Sequence, residues 1–419
     1  MITRRQFVQR SLLASGSLLA TSLAQTRPAR SAGQPTVVSF WSGTDPTVKR
    51  LLEQELLPRF HRENPDVRVE ATLLQWMEFF QKVSVAFAGG TGPDVVGSGY
   101  GQLGSMIGNK WVQPIDDILK SWPDLTDIPP VGLDSGKKEG KRYAVLLPDI
   151  RPFNYRKDYY KEAGLDPERP PKNWEELRAF TRKLTKRDGA KVTRAGLDVP
   201  IKNGEQFFAS MAFTRGLKNL WDESGMPLFD SPEGIETMEF LLALMRDDKV
   251  TVPSDQQAAA GSAFQTGAAA QGFLQSQLYA AIDAAAPGAL GVALPPANPK
   301  TQVLVLGTFY GLSARAKNVE AAGKLIRFLY SSDSMWAMYK AAGFQPMMRR
   351  SLAERFAKEK PYNGVVTTAL ENAVGWPIFP TFLQARQIII TQLEAIYVGQ
   401  KTVKDGLRHA AEETKKLVG

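Results

Sequence analysis

Apolar and polar residues alternate along this chain with two periods. Val37-Val38-Ser39-Phe40-Trp41 is a short apolar run closed by Ser42-Gly43-Thr44-Asp45-Pro46, which predicts a buried strand opening into a loop. Val48, Leu51, Leu52, Leu56 and Phe60 then recur at helical spacing. Val67, Val69, Ala71 and Leu73 alternate with polar neighbours and predict a half-buried strand, and Trp76, Phe80, Val83 and Phe87 predict the buried stripe of a second helix. After Gly89 to Pro93 the chain enters Asp94-Val95-Val96 and runs out to Gly97-Ser98-Gly99-Tyr100-Gly101. Strand, helix, strand, helix, strand implies an α/β fold with a parallel sheet covered on both faces. Ligands of such sheets gather beyond the carboxyl ends of the strands, here Trp41 to Asp45, Ser98 to Gln102 and Asp149 to Arg151.

The stretch Tyr143 to Leu177 hands the chain from this unit to a second one. Tyr143 to Leu147 is an apolar run closed by Pro148, which fits a strand ending at an exposed crossing. A turn follows at Gly164-Leu165-Asp166-Pro167, and Pro170-Pro171 stiffens the connector. Asn173 is placed to cap a helix, with Glu176 as reciprocal partner and Leu177, Phe180 and Leu184 as its apolar stripe. Further helices are predicted at Glu205 to Gly216, at Glu233 to Arg246 behind Ser231-Pro232, and at Glu320 to Tyr330 with Leu325, Ile326, Phe328 and Leu329 buried. A last helix carries Val403, Leu407, Ala411 and Leu417 on one face. Ala258 to Gly261 and Ala284 to Gly291 read as small-residue connectors.

Tyr155-x-Lys157-Asp158, Ala163-Gly164-Leu165 and Pro171-x-x-Trp174-x-Glu176-Leu177, in this order and spacing, resemble the sugar-type extracellular solute-binding proteins (family 1) of bacterial ATP-driven importers. The resemblance recurs at landmarks from Val37 to Val418. It implies a two-lobed periplasmic-binding-protein fold, type II-like, each lobe a mainly parallel sheet flanked by helices and the two hinged by crossing strands. The implied first lobe is 34–148 with 307–334, and the second is 149–306 with 335–419. Leu304 to Leu312 looks like the return crossing, Ser262 to Gly267 resembles the family's short helix before its central strand, and Gly343-Phe344-Gln345-Pro346-Met347 resembles its Gly-aromatic-x-Pro turn. The family usually places Gly-x-Trp after the central strand; this chain has Gln275-Ser276-Gln277, so a stacking ring is missing there. In the family the position of Asp94 helps hold a strand start.

A sugar is recognised by flat aromatic faces against its C–H side and by planar polar groups that pair its hydroxyls. Trp41, Trp76, Tyr100, Tyr310 and Trp376 are the candidate faces; Asp45, Gln102, Asp149, Arg151, Glu205 and Gln277 are the polar candidates, with Ser42, Ser98, Gly307 and Thr308 on the same loops and crossing. Asp149 comes first among them because it sits where both lobes converge. The missing tryptophan and the Asp149/Arg151 pair leave room for a sugar acid, a polyol, a glycerol phosphodiester or a small charged solute.

Composition narrows the alternatives. With 419 residues the chain is long for one core, and no apolar run is long enough to span a bilayer. Thr3-Arg4-Arg5-Gln6-Phe7-Val8-Gln9 followed by a weakly apolar segment to Ala24 reads as a twin-arginine signal within residues 1–32, cleaved after Ala24 or Ala32 and passed to the twin-arginine translocase. Those residues hold five arginines and no acid, so the net charge of +9 falls to about +4 without them, no argument for nucleic acid. Cysteine is absent, which excludes disulfides, thiolate metal sites and a lipid-attachment cysteine and suggests a protein free in the periplasm; the resemblance implies a monomer working with permease subunits and no cofactor. The glycines at 89, 90 and 92 lack the Gly-Lys-Ser/Thr ending of a phosphate loop and precede a strand. The two histidines, His61 and His409, lie far apart on charged helical surfaces, which disfavours a serine–histidine triad or histidine-rich zinc site. A secreted carbohydrate-active hydrolase using two cleft carboxylates is the alternative, since such an enzyme needs only two acids.

Overall fold

In the computed structural model, which describes residues 34–252, 254–255, 261–297, 302–343 and 349–419, the first three strands lie as their alternation predicts. β1 (Thr36–Gly43) pairs in parallel with both β2 (Val67–Leu74) and β3 (Val95–Gly99), in the registers Val38 to Val69 and Phe40 to Val95. The connecting helical segment from Pro46 to Glu63 buries Val48, Leu51, Leu52, Leu56 and Phe60. It passes through a π-helical turn at Leu52–Leu56, where the Leu57 amide reaches back to the Leu52 carbonyl. Pro58 follows, and its missing N–H accounts for the altered ladder.

Two burial expectations shift. Ala71 is exposed although β2 buries Val67, Val69 and Leu73, so the alternation breaks midway along the strand. On helix Trp76–Ala88 the core positions are Phe79, Val83 and Phe87, while Trp76 and Phe80 are only half-buried. The stripe is rotated because Trp76 and Phe80 face a cavity instead of the core.

β4 (Val112–Gln113) adds a short edge pairing, and β5 (Gly136–Lys138) with β6 (Lys141–Ala144) forms a hairpin. β7 (Leu147–Arg151) and β8 (Phe153–Arg156) then follow with only Pro152 between them, yet they belong to different sheets. A second hairpin joins β9 (Lys186–Asp188) to β10 (Lys191–Arg194). β11 (Gln271–Phe273) and β12 (Leu290–Ala293) flank β8, both antiparallel to it. Around β8 the second sheet is antiparallel, because β8 enters from the first sheet against the direction of its neighbours. Parallel pairing in this half occurs along the other side of β11, where the Asp198 amide donates to the Gln271 carbonyl and Ala195 bridges Ala269.

β13 (Val303–Ser313) ties the arrangement together. Its first half, Leu304 to Thr308, runs antiparallel to β7, and its second half, Thr308 to Leu312, antiparallel to β3; β14 (Ala373–Val374) pairs with its start. Gly307, at the changeover, has φ of 144°, and a Cβ there would collide with the Leu147 carbonyl oxygen. Only glycine lets the two strands approach so closely at this backbone angle.

The remaining helices follow their caps. Asn173 accepts from the Glu176 amide at 2.9 Å, as its position predicts, but the Glu176 carboxylate takes the Lys172 amide at 3.0 Å, one residue before the reciprocal partner a capping box would use. Helix Val403–Val418 buries Val403, Leu407 and Ala411 and packs on helices Phe382–Tyr397 and Pro232–Arg246. Residues 263–267 are turns, not a helix. Asp94 holds the start of β3: its Oδ2 accepts from the Ser39 amide and hydroxyl at 2.9 and 2.7 Å, and its Oδ1 from the Lys317 amide at 2.9 Å. No helix of the described residues is long and apolar enough to cross a membrane. The expected twin-arginine signal, the turn at 344–347 and the connector at 258–260 lie outside the described residues.

Candidate functional site

Beyond the carboxyl end of β3, and across β7 and β13, lies a cavity of about 330 Å³. Trp76, Phe80, Tyr100, Trp376 and Phe382 supply aromatic wall; Gln102, Gln206, Gln275, Gln277 and Thr308 supply neutral polar groups; Asp149, Arg151 and Arg386 are charged. The mixture of broad apolar faces with a few convergent polar groups is what a small-molecule site needs.

Asp149 and Arg151 stand two residues apart on β7 and so share one face of the strand. They are 5% and 6% exposed. Arg151 Nη1 donates to Asp149 Oδ2 and to the Asp149 carbonyl oxygen, both at 3.0 Å. Its Nε donates to Gln206 Oε1 at 2.7 Å and its Nη2 to Gln275 Oε1 at 3.3 Å. The guanidinium is thus pinned on three sides, and the amide nitrogens of both glutamines are turned outward from it. Burial pushes the Asp149 carboxyl up from the usual carboxylate range, opposed by the charge and hydrogen bond of Arg151. Asp149 Oδ1 is buried with no hydrogen-bond partner among the described residues. A buried acceptor left unpaired is costly in the empty protein and available to a donor on a ligand.

A second ion pair borders the cavity. Arg386 donates from Nε at 2.8 Å and from Nη2 at 2.6 Å to the same oxygen, Oε1 of Glu205. Glu205 is fully buried at the start of helix Glu205–Thr214, where the helix dipole favours an acid, and its Oε2 has no partner. It does not line the cavity itself; it holds Arg386, which does.

Nine of the residues singled out from sequence therefore meet around one space: Trp76, Tyr100, Gln102, Asp149, Arg151, Gln277, Gly307, Thr308 and Trp376. Tyr100 presents its ring, because its hydroxyl is spent on the Ser135 carbonyl at 2.5 Å and burial holds its proton well above the ordinary tyrosine range. Trp376 is braced edge-on by Trp221 at 5.7 Å. Ser42, Asp45 and Tyr310 border a separate cavity of about 20 Å³ that shares only Trp76 and Thr308 with the larger one. The Asp45 carboxylate is occupied as a helix cap, accepting from the Thr47 and Val48 amides at 2.8 and 3.0 Å. Tyr310 packs edge-on to Phe40 and Tyr330. Trp41 is half-buried in β1, and Ser98 is buried in β3 opposite Phe309; neither lines either cavity.

Sequence reasoning missed Phe80, Gln206, Gln275, Phe382 and Arg386. Gln206 and Gln275 each stand within two residues of a glutamate or glutamine already singled out, so a wider window would have reached them. Phe382 and Arg386 are one turn apart on helix Phe382–Tyr397. No local signal marks them, because only tertiary docking brings that helix to the cavity.

The family description "bacterial extracellular solute-binding protein" matches residues 44–336. The chain belongs to that family. This solute-binding protein is 24% identical to the sn-glycerol-3-phosphate-binding periplasmic protein UgpB of Escherichia coli, over 96% of this chain and 97% of that protein. Among solved structures its fold is similar to an ABC transporter solute-binding protein of Thermotoga lettingae bound with α-D-tagatose (TM-score 0.80, 23% identity, 92% and 100% of the two chains). It is similar also to UgpB of Mycobacterium tuberculosis in complex with glycerophosphocholine (TM-score 0.79, 20% identity, 91% and 98%). As a member of this family the chain is an extracellular protein that binds a small-molecule solute. It is a binding protein and not an enzyme, which sets aside the hydrolase alternative.

Proposed function

We propose that this chain captures a carbohydrate or carbohydrate-like solute in the periplasm, closes two lobes around it and delivers it to the permease. The lobes are 34–148 with 307–334 and 149–306 with 335–419, hinged at Leu147 to Phe153 and Leu306 to Gly311; the last boundary falls within helix Ser332–Ala342. Export follows the twin-arginine route, and the protein acts as a monomer.

The observation that carries the reading is the unpaired Oδ1 of Asp149, buried at the strand crossing in a cavity with aromatic walls and glutamine amides. A ring hydroxyl donates to that oxygen, amide and guanidinium N–H groups donate to other hydroxyls, and Trp76 and Trp376 take the apolar side of the ring. At about 330 Å³ the space is near the low end of the range for ligand pockets, which suits a small solute over a long oligosaccharide. The sugar named for the Thermotoga relative and the glycerophosphodiester named for the mycobacterial one are both polyhydroxylated and of this size class. In titration calorimetry against polyols, mono- and disaccharides and glycerophosphodiesters, at least one should bind in the micromolar range, about −8 kcal/mol. Asp149→Ala should weaken that binding by about 1 to 3 kcal/mol. Unchanged affinity would remove Asp149 from the site, and no binding by any compound would end the carbohydrate reading.

A further inference from the structure

The charges at the cavity come as two closed pairs. Asp149 is in hydrogen-bond contact with Arg151, and Arg386 with the buried Glu205 behind it. Among the described lining residues no other Asp, Glu, Lys or Arg is present. The formal charges of these four groups cancel, and the rest of the polar wall is amide and hydroxyl. Each acid also keeps one oxygen buried without a partner, Asp149 Oδ1 and Glu205 Oε2.

This balance discriminates by ligand charge. An anion that approaches Arg386 or Arg151 must share a guanidinium whose charge a buried carboxylate already balances, so the bound state holds one uncompensated negative charge, which low-dielectric surroundings penalise. A cation meets the opposite conflict with the two guanidinium groups. A hydroxyl does neither, because it donates to an unpaired carboxylate oxygen and accepts from an amide or guanidinium N–H in the same place. We propose that the site selects a solute of zero net charge, either a neutral polyhydroxylated molecule or one whose own charges cancel, and that the Glu205–Arg386 pair sets this selection. The proposal rests on the solute-binding reading above and narrows it.

The test is calorimetry at neutral pH with matched probes: neutral mono- and disaccharides and polyols beside their acid and amino derivatives, and glycerophosphocholine beside sn-glycerol 3-phosphate. The neutral or charge-balanced member should bind at least about tenfold tighter than its charged counterpart. Glu205→Gln releases Arg386 and should shift preference toward the anionic member by about tenfold, whereas Arg386→Gln should shift it away; circular dichroism verifies that each variant is folded. The wild-type comparison decides even if one variant fails to fold. A charged member that binds tighter than its neutral counterpart overturns the proposal and leaves the carbohydrate reading standing. If no member binds, both fall.

Discussion

Asp94 and Asp149 show what a side chain's surroundings make of the same carboxylate. Asp94 spends both oxygens on backbone and serine donors that lock β3 and the Lys317 turn, whereas Asp149 keeps one oxygen unspent beside a cavity. His61 is a third case. Instead of lying free on a charged helix surface, it accepts the Val69 amide at its Nε2 at 2.9 Å, which ties the first helical segment to β2. Burial, with the nearby Arg68 charge, lowers its pKa below the ordinary histidine value. Both causes oppose the protonated ring in the folded state, so the unfolded chain binds the proton more readily. The stability His61 contributes is thus present above its unfolded pKa of about 6.5 and is lost as pH falls through the lower folded value. His61→Ala should cost about 1 kcal/mol at pH near 8. The gap in melting temperature between variant and wild type should narrow on acidification to about pH 5, and a gap that widens there would refute this account.

At the scale of elements, β13 was legible as an apolar run but its double duty was not. The residues Val303–Ser313 read as one strand, while the switch of partner from β7 to β3 is set by Gly307, whose positive φ no periodicity reveals. Gly307→Ala should destabilise the protein in urea by about 1 to 3 kcal/mol, since the backbone angle and the Leu147 carbonyl both oppose a side chain. Gly140 also has positive φ, but nothing stands within 4 Å of a Cβ there, so Gly140→Ala serves as the milder control. Equal stability of the two variants would show that the close approach at Gly307 is unimportant. Legibility followed the same line elsewhere. Strands β1 to β3, their helices and the Asn173 cap were readable because local spacing determines them. The rotation that turns Trp76 and Phe80 toward the cavity, the antiparallel setting of β8 and the arrival of Arg386 were not, because each depends on residues far away in sequence. Loop candidates at β-strand ends divided accordingly: Tyr100 and Gln102 reach the cavity, while Asp45, with its side chain drawn into capping, does not.

For the molecule as a whole, the question is how a solute comes to touch both walls of the site. Residues Thr36–Gly419 make one compact unit, and the cavity takes its wall from elements on both sides of the crossing: Trp76, Tyr100 and Thr308 on one, Gln206, Gln275 and Arg386 on the other. Hinge opening at β7 and β13 would part those two groups while leaving each sheet intact, because the strand order keeps β1, β2 and β3 on one side and β8, β11 and β12 on the other. A solute that bonds to both walls is bound better by the closed form, and it shifts the population only to the extent of that difference. Small-angle scattering of the ligand-free protein should therefore give a radius of gyration above the roughly 22 Å expected for a compact chain of this length, falling toward it when a binding solute is added. Replacing Arg386 by Gln removes a contact from one wall and should leave the saturated protein less compact than wild type. Identical profiles with and without a solute that calorimetry shows to bind would mean that the two walls do not move apart, and entry would then have to occur by side-chain motion alone, for instance of the half-buried lining residues Phe80, Gln277 and Leu383.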